Sequence, residues 1–150
     1  MTDDKKVAPF KLQPGSIKEY LKDFEFSNDG EYMLFTTLSM NGLGLEQLNK
    51  HIEEGKDVYN CDLSNNNIPD PTFLKEFQQL IRLELANNKV KNINIFTTEE
   101  SFLKLKYLDL SNNKLSEFSN FTLPSLEYLD LSKNKLDKIN EAWQGHPNIK

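Results

Sequence analysis

The sequence predicts an α/β fold: a right-handed solenoid with a short parallel β-sheet on its concave face and a helical N-terminal cap. Three observations predict it. The pattern L-x-x-L-x-L-x-x-N-x-L occurs four times between Val58 and Leu136. Aromatic residues gather in the less regular stretches between the copies. The chain before Val58 leaves the pattern and takes up helical spacing instead.

Residues 1–15 are polar, charged and broken by Pro9 and Pro14, the composition of a mobile or partner-ordered tail. Ser16-Ile17-Lys18-Glu19 fits a capping box and opens a short helix through Phe24. Asn28-Asp29-Gly30 is a turn cluster. Tyr32, Phe35 and Leu38 then stand at helical spacing. So do Leu45, Leu48 and Ile52 after the Asn41-Gly42 break. Helices are therefore expected near residues 30–40 and 44–54, and residues 16–57 as a whole form the cap. Alternation through Phe24-Glu25-Phe26 also permits a β-hairpin about the Asp29-Gly30 turn.

The copies read Val58, Cys61, Leu63, Asn66, Ile68; Leu80, Leu83, Leu85, Asn88, Val90; Leu105, Leu108, Leu110, Asn113, Leu115; and Leu126, Leu129, Leu131, Asn134, Leu136. Successive copies start 22, 25 and 21 residues apart. One copy cannot bury its own apolar side, so copies must stack into a common core. The L-x-L centre predicts a strand whose alternate residues point inward, near 60–63, 82–85, 107–110 and 128–131. The asparagine follows where the chain turns off the strand. Its amide both donates and accepts, so Asn66, Asn88, Asn113 and Asn134 are expected to form a structural ladder that satisfies turn backbone. Losing one rung would leave buried groups unpaired, at roughly 1–3 kcal/mol. Phe73, Phe77, Phe96, Phe102, Phe118, Phe121, Ile139 and Trp143 fall on the returning side and read as core filler.

Residues 58–150 thus form the repeat region. His146-Pro147-Asn148-Ile149 reads like the opening Pro124-Ser125-Leu126, and Ile149 lies 23 residues after Leu126. A fifth copy is expected to begin at about 147–150, as in a longer solenoid. The alternative is a last edge covered by a partner.

On these residues the chain resembles the leucine-rich repeat superfamily, in its short intracellular form. Net charge is −5, which argues against nucleic acid or an anionic membrane as main partner. Met1-Thr2-Asp3-Asp4-Lys5-Lys6 is not followed by the apolar run of a signal peptide. Cys61 is the single cysteine and stands where the other copies carry leucine, so it reads as a buried small hydrophobe. Extracellular members of the superfamily usually close their ends with disulfide-bonded caps, which a single cysteine cannot form, so the resemblance implies an intracellular, cytoplasmic protein. Asn120-Phe121-Thr122 is then an accidental glycosylation match.

Catalytic motifs are weak. His51 and His146 with one cysteine cannot make a zinc cluster without carboxylates. Asn41-Gly42-Leu43-Gly44 lacks the lysine and the preceding strand of a phosphate loop. Glu25 to Asp29 before Gly30 is similar to a calcium loop, but Thr36 falls where a bidentate acid is needed. No enzyme, cofactor, metal or small-molecule substrate is expected.

The outward residues of the strands carry more. The central column is Asp62, Glu84, Asp109 and Asp130. Beside it run Asn60, Arg82, Tyr107 and Tyr128. On the other side come Ser64, Ala86, Ser111 and Ser132, then Asn65, Asn87, Asn112 and Lys133, then the row Lys89, Lys114 and Lys135. Acids between the leucines are common in consensus repeats, and the lysines could simply be solvated. An acidic strip edged by two tyrosines and an arginine is also the composition of a protein-docking face. Asp62, Arg82, Glu84, Tyr107, Asp109, Tyr128 and Asp130 are the candidate protein-binding residues.

A narrower resemblance rests on motif order. Leu38-Ser39-Met40-Asn41-Gly42, the degenerate copy Val58–Ile68, then Leu123-Pro124-Ser125-Leu126 and His146-Pro147-Asn148-Ile149 resemble the N-terminal half of ciliary radial-spoke leucine-rich repeat proteins, over residues 31–150. The Thr97-Thr98-Glu99-Glu100 insertion departs from it. The resemblance implies a non-enzymatic scaffold in the axoneme of cilia or flagella, held among spoke or doublet-associated proteins. Two alternatives are a regulatory subunit resembling protein-phosphatase-1 leucine-rich repeat regulators, and an acidic nuclear chaperone-type repeat protein. The latter would normally carry a long acidic tail.

Overall fold

The computed structural model describes residues 19–26, 33–47, 57–96, 102–117 and 123–137. Their strands form one six-stranded sheet in chain order: β1 (Leu21–Phe26), β2 (Met33–Ser39), β3 (Asn60–Asp62), β4 (Arg82–Glu84), β5 (Tyr107–Asp109) and β6 (Tyr128–Asp130). From β2 onward all neighbours are parallel. The register is strict: Asn60 pairs with Arg82, Arg82 with Tyr107, and Tyr107 with Tyr128. One short parallel strand per repeat makes the chain a β-solenoid. Strands β3 to β6 lie within the spans expected from the L-x-L centres. The returning segments are 3-10 turns at Thr72–Glu76 and Asn94–Phe96, and no α-helix occurs among the described residues.

The inward positions form the core. Leu63, Leu85 and Leu110 are buried, as are Cys61, Leu83 and Leu108 in the preceding inward row. Phe77, Phe96 and Phe102 fill the returning side, with Phe73 partly buried. The rings of Phe96 and Phe102 lie 5.0 Å apart at 60°. Leu129, expected to be as buried as Leu108, is only half-buried. It sits on β6, the outermost described strand, and among the described residues only β5 pairs with that strand. Phe118, Phe121, Ile139 and Trp143 lie outside the described residues. So do the 1–15 tail, the Asn28-Asp29-Gly30 turn and the start of a fifth copy.

The helical N-terminal cap is corrected. Residues 21–26 and 33–39 are strands, paired antiparallel with Leu21 opposite Leu38 and Phe24 opposite Phe35. This is the hairpin arrangement that the Phe24-Glu25-Phe26 alternation permitted. Residues 40–47 hold no helix either, and 48–56 lie outside the described residues. The physical reason is a spacing coincidence. Apolar residues three apart mark one face of a helix, and L-x-x-L at the start of the repeat has the same spacing. Phe35, Thr36 and Thr37 favour the extended chain, and β3 offers Leu38 a parallel partner in Cys61.

The cap in fact contains a further coil. The Met40 N–H donates to the Asp62 carbonyl, as Leu63 does to Glu84 and Leu85 to Asp109. The Gly42 N–H donates to Ser64, as Asn65 does to Ala86 and Asn87 to Ser111. Phe35, Leu38, Met40, Leu43 and Leu45 therefore occupy the template, with Leu43 in place of the asparagine. Among the described residues the strand before this one, β1, runs antiparallel, so it is not a further parallel coil. Among the described residues a bridging amide at Leu43 would have no preceding parallel coil to bridge to.

Each turn off the sheet needs one left-handed residue. Gly42 (φ 72°), Asn65 (58°), Asn87 (56°), Asn112 (52°) and Lys133 (56°) hold this place in successive coils. Asparagine tolerates that region and lysine does so less readily. The Asn-Asn pair of the middle repeats thus divides its work: the first turns the chain and the second forms the ladder. Lys133→Asn is expected to raise stability by about 0.5–1 kcal/mol. A urea midpoint that stays put or falls would contradict this.

Candidate protein-binding face

The asparagine ladder fixes the spacing of the face. The Asn66, Asn88, Asn113 and Asn134 side-chain carbonyls accept from the N–H groups of Leu45, Ile68, Val90 and Leu115 in the preceding coil, at 2.9–3.1 Å. Asn66 also accepts from Leu43. Each amide nitrogen donates to its own turn and back across the coil boundary, to Met40, Leu63, Leu85 and Leu110 respectively. Among the described residues no buried side-chain nitrogen or oxygen lacks a partner.

The central acids stand in register: Asp62 beside Glu84, Glu84 beside Asp109, Asp109 beside Asp130. Three of them also have a structural task that the sequence reading missed. One carboxylate oxygen of Asp62, Asp109 and Asp130 accepts the backbone N–H two residues on, at Ser64, Ser111 and Ser132, at 2.8–2.9 Å. This closes the turn off the strand. The repeated Asp-Leu-Ser triplet was the available signal. Glu84 breaks the triplet, in Glu84-Leu85-Ala86, and its carboxylate turns to Arg82 Nε at 2.8 Å.

The neighbouring column is ordered from end to end. The Arg82 guanidinium carbon lies 3.6 Å from the centre of the Tyr107 ring. On its other side Tyr107 stacks on Tyr128, with ring centres 4.3 Å apart and planes 3° from parallel. The parallel register places the three residues on adjacent strands, and ring and guanidinium are flat enough to stack at that spacing. Tyr128 is 41 % exposed. Burial pulls the Arg82 pKa down, but the hydrogen bond and charge of Glu84 outweigh it and hold it above its ordinary value. Tyr107, burial and Asp130 together hold the Tyr128 phenol above its ordinary range. Tyr128 therefore presents a neutral ring at physiological pH. Asn60, at the other end of the column, reaches Thr37 at 3.5 Å.

Other sequence candidates lie apart from this column. Lys89, Lys114 and Lys135 are exposed in their own row, each linked to the previous coil by its backbone N–H. Ile81 (37 % exposed) and the Lys106–Glu127 pair at 3.0 Å form a rim that the sequence reading did not single out. Cys61 is buried, and burial, then Asp62 and Glu84, push its thiol far up, so it is no nucleophile. A cavity of about 350 Å³ on the returning side is lined by Glu46, Asp70, Phe73 and Glu76 among others. Among the described residues no group of three or more His, Cys, Asp or Glu is placed to hold a metal, and no helix is long and apolar enough to cross a membrane. His51 and His146 lie outside the described residues.

Comparison with known proteins places this architecture. Residues 103–143 match the family model described as Leucine Rich repeats (2 copies). A leucine-rich repeat protein of Leptospira interrogans is similar in structure, with TM-score 0.69 and 26 % identity over 77 % of this chain and 30 % of that one. An internalin of Listeria monocytogenes has TM-score 0.62 and 24 % identity, over 77 % of this chain and 40 % of its own. The functional domain of InlJ from the same organism, which includes a cysteine ladder, has TM-score 0.59 and 24 % identity, over 71 % and 22 %. The chain spans less than half the length of each. No curated protein matches it. Residues 103–143 thus match leucine-rich repeats, and the ladder of this chain is built of asparagine.

Proposed function

We propose that this chain is a non-enzymatic scaffold that docks a protein partner on its sheet face. The observation that carries the reading is the stacked column Arg82–Tyr107–Tyr128 beside a row of carboxylates. Solenoids of this kind commonly offer the sheet face as an extended binding surface. Tyrosine and arginine are enriched at binding hot spots. Side chains already held by stacking lose less freedom on binding. The finer assignment is a structural component of the ciliary or flagellar axoneme, cytoskeletal and radial-spoke or doublet-associated, among other proteins of a large assembly. The motif order at Leu38–Gly42 and at the two Pro-containing repeat openings supports it.

Two substitutions test the face. Tyr128→Ala should weaken partner binding at least about tenfold, with slowed association contributing little. Asp109→Asn with Asp130→Asn keeps an oxygen for each turn and removes two charges, so it should flatten the salt dependence of association. Unchanged binding in both variants, with the fold intact, would move the interface off this face. For the finer assignment, the protein should remain in detergent-resistant axonemes. Its absence there, together with co-purification of a phosphatase, would favour the regulatory-subunit alternative.

A further inference from the structure

We propose that Asn41 is a latent modification site. Its side chain can deamidate through attack by the Gly42 nitrogen, and the folded coil of residues 35–45 holds that reaction off until the coil opens.

Asn41-Gly42 is the one Asn-Gly pair in the chain. Glycine has no side chain to shield its nitrogen, so this pair reacts more readily than asparagine followed by a larger residue. The Gly42 backbone nitrogen loses its proton and bonds to the Asn41 side-chain carbonyl carbon. The bond from that carbon to the amide nitrogen breaks, and the nitrogen leaves as ammonia. Water then opens the five-membered imide. Opening at one carbonyl gives aspartate, and opening at the other gives isoaspartate, in which the backbone runs through the side-chain carbons. Water is the only co-reactant, and nothing is oxidised or reduced.

The fold ties down every group that has to move. The Gly42 N–H donates to the Ser64 carbonyl at 3.0 Å. Asn41 Nδ2 donates to Asp62 Oδ2 at 2.9 Å, and Asn41 Oδ1 accepts from Asn65 Nδ2 at 2.9 Å. Asp62 is itself anchored, its other oxygen accepting the Ser64 N–H at 2.9 Å. Nucleophile, leaving group and carbonyl oxygen thus each have a partner on the next coil. The rotation that brings the Gly42 nitrogen onto the side-chain carbon breaks these contacts. Both residues are exposed, so hydrogen bonding and not burial protects the pair.

The products do not fit the coil. Aspartate at position 41 sets an oxygen against Asp62 Oδ2 where an N–H stood, and like charges that close repel. Isoaspartate adds one carbon to the backbone between Met40 and Gly42. Those two residues donate to the carbonyls of Asp62 and Ser64, at 2.8 and 3.0 Å, and the lengthened chain cannot keep both bonds. Deamidation therefore runs one way, from a coil that has opened to a coil that no longer closes on β3.

The test incubates the whole chain at mildly alkaline pH, folded and in urea, and follows the digest peptide carrying Asn41 by mass spectrometry. In urea it should gain aspartate and isoaspartate at least about tenfold faster than in the folded chain, because the hydrogen bonds have to break before attack. Asp62→Asn keeps an oxygen for the Ser64 N–H and removes the acceptor of the Asn41 amide. It should speed deamidation of the folded chain about threefold or more. Asn41→Asp makes one product directly, and should lose amide-exchange protection at Met40 and Gly42 while Val90 keeps its own. Equal rates in folded and urea-unfolded chain would overturn the proposal. So would an unchanged rate in an Asp62→Asn chain whose Val90 amide stays protected, or an Asn41→Asp chain with Met40 and Gly42 as protected as before.

Discussion

Asn113→Ala is expected to lower stability by roughly 2–4 kcal/mol. The Asn113 amide accepts from the buried Val90 N–H at 2.9 Å and donates to the carbonyls of Leu85, Leu110 and Ser111. Alanine has nothing to offer any of them, and the site is too well covered for water to substitute freely. The cost of orphaning a buried donor is therefore added to the loss of three acceptor contacts. The damage also falls on the boundary between two coils, where a solenoid has only nearest-neighbour contacts to rely on. Asn134→Ala, at a half-buried rung, should cost distinctly less. Urea denaturation of both variants, with amide exchange read at Val90, checks this. A loss under 1 kcal/mol for Asn113→Ala, or a Val90 amide still protected, would refute the bridging role.

Leu108→Ala is expected to cost roughly 2–5 kcal/mol, since the side chain is buried on β5 between coils on both sides and the cavity cannot collapse without shifting them. Leu129→Ala removes the same atoms from the same template position on β6. There the side chain is only half-buried, so the cost should be about half or less. Equal losses at the two positions would mean that a further coil covers β6 as fully as β6 covers β5.

The strands, the inward rows and the ladder residues were legible because the repeat is a physical requirement: each coil has to present the same inward leucines and the same turn chemistry to its neighbours. What was misread lies where that requirement changes. Phe35, Leu38 and Met40 follow the template, but Leu43 replaces its most diagnostic residue, so the sequence of this coil reads as a helix. The second asparagine function was hidden because Asn65, Asn87 and Asn112 adjoin the ladder residues and share their type. The column Asn60, Arg82, Tyr107 and Tyr128 could be aligned from sequence, since period fixes register. Its stacking could not, because the same spacing also allows three side chains that point apart. The turn-closing role of Asp62, Asp109 and Asp130 needed the two-residue step to serine to be read together with the acid, and not the acid alone.

The central claim is that the sheet face, and not the returning side, meets the partner. The most direct measurement is photo-crosslinking in cells, with the reactive residue at Asn60 on the sheet face in one variant and at Thr72 on the returning side in another. Both positions are exposed. Capture of one defined protein from Asn60, abolished by adding Arg82→Ala and Tyr128→Ala, and none from Thr72, is the result this structure predicts. Capture from Thr72 alone, indifferent to those two substitutions, would contradict it.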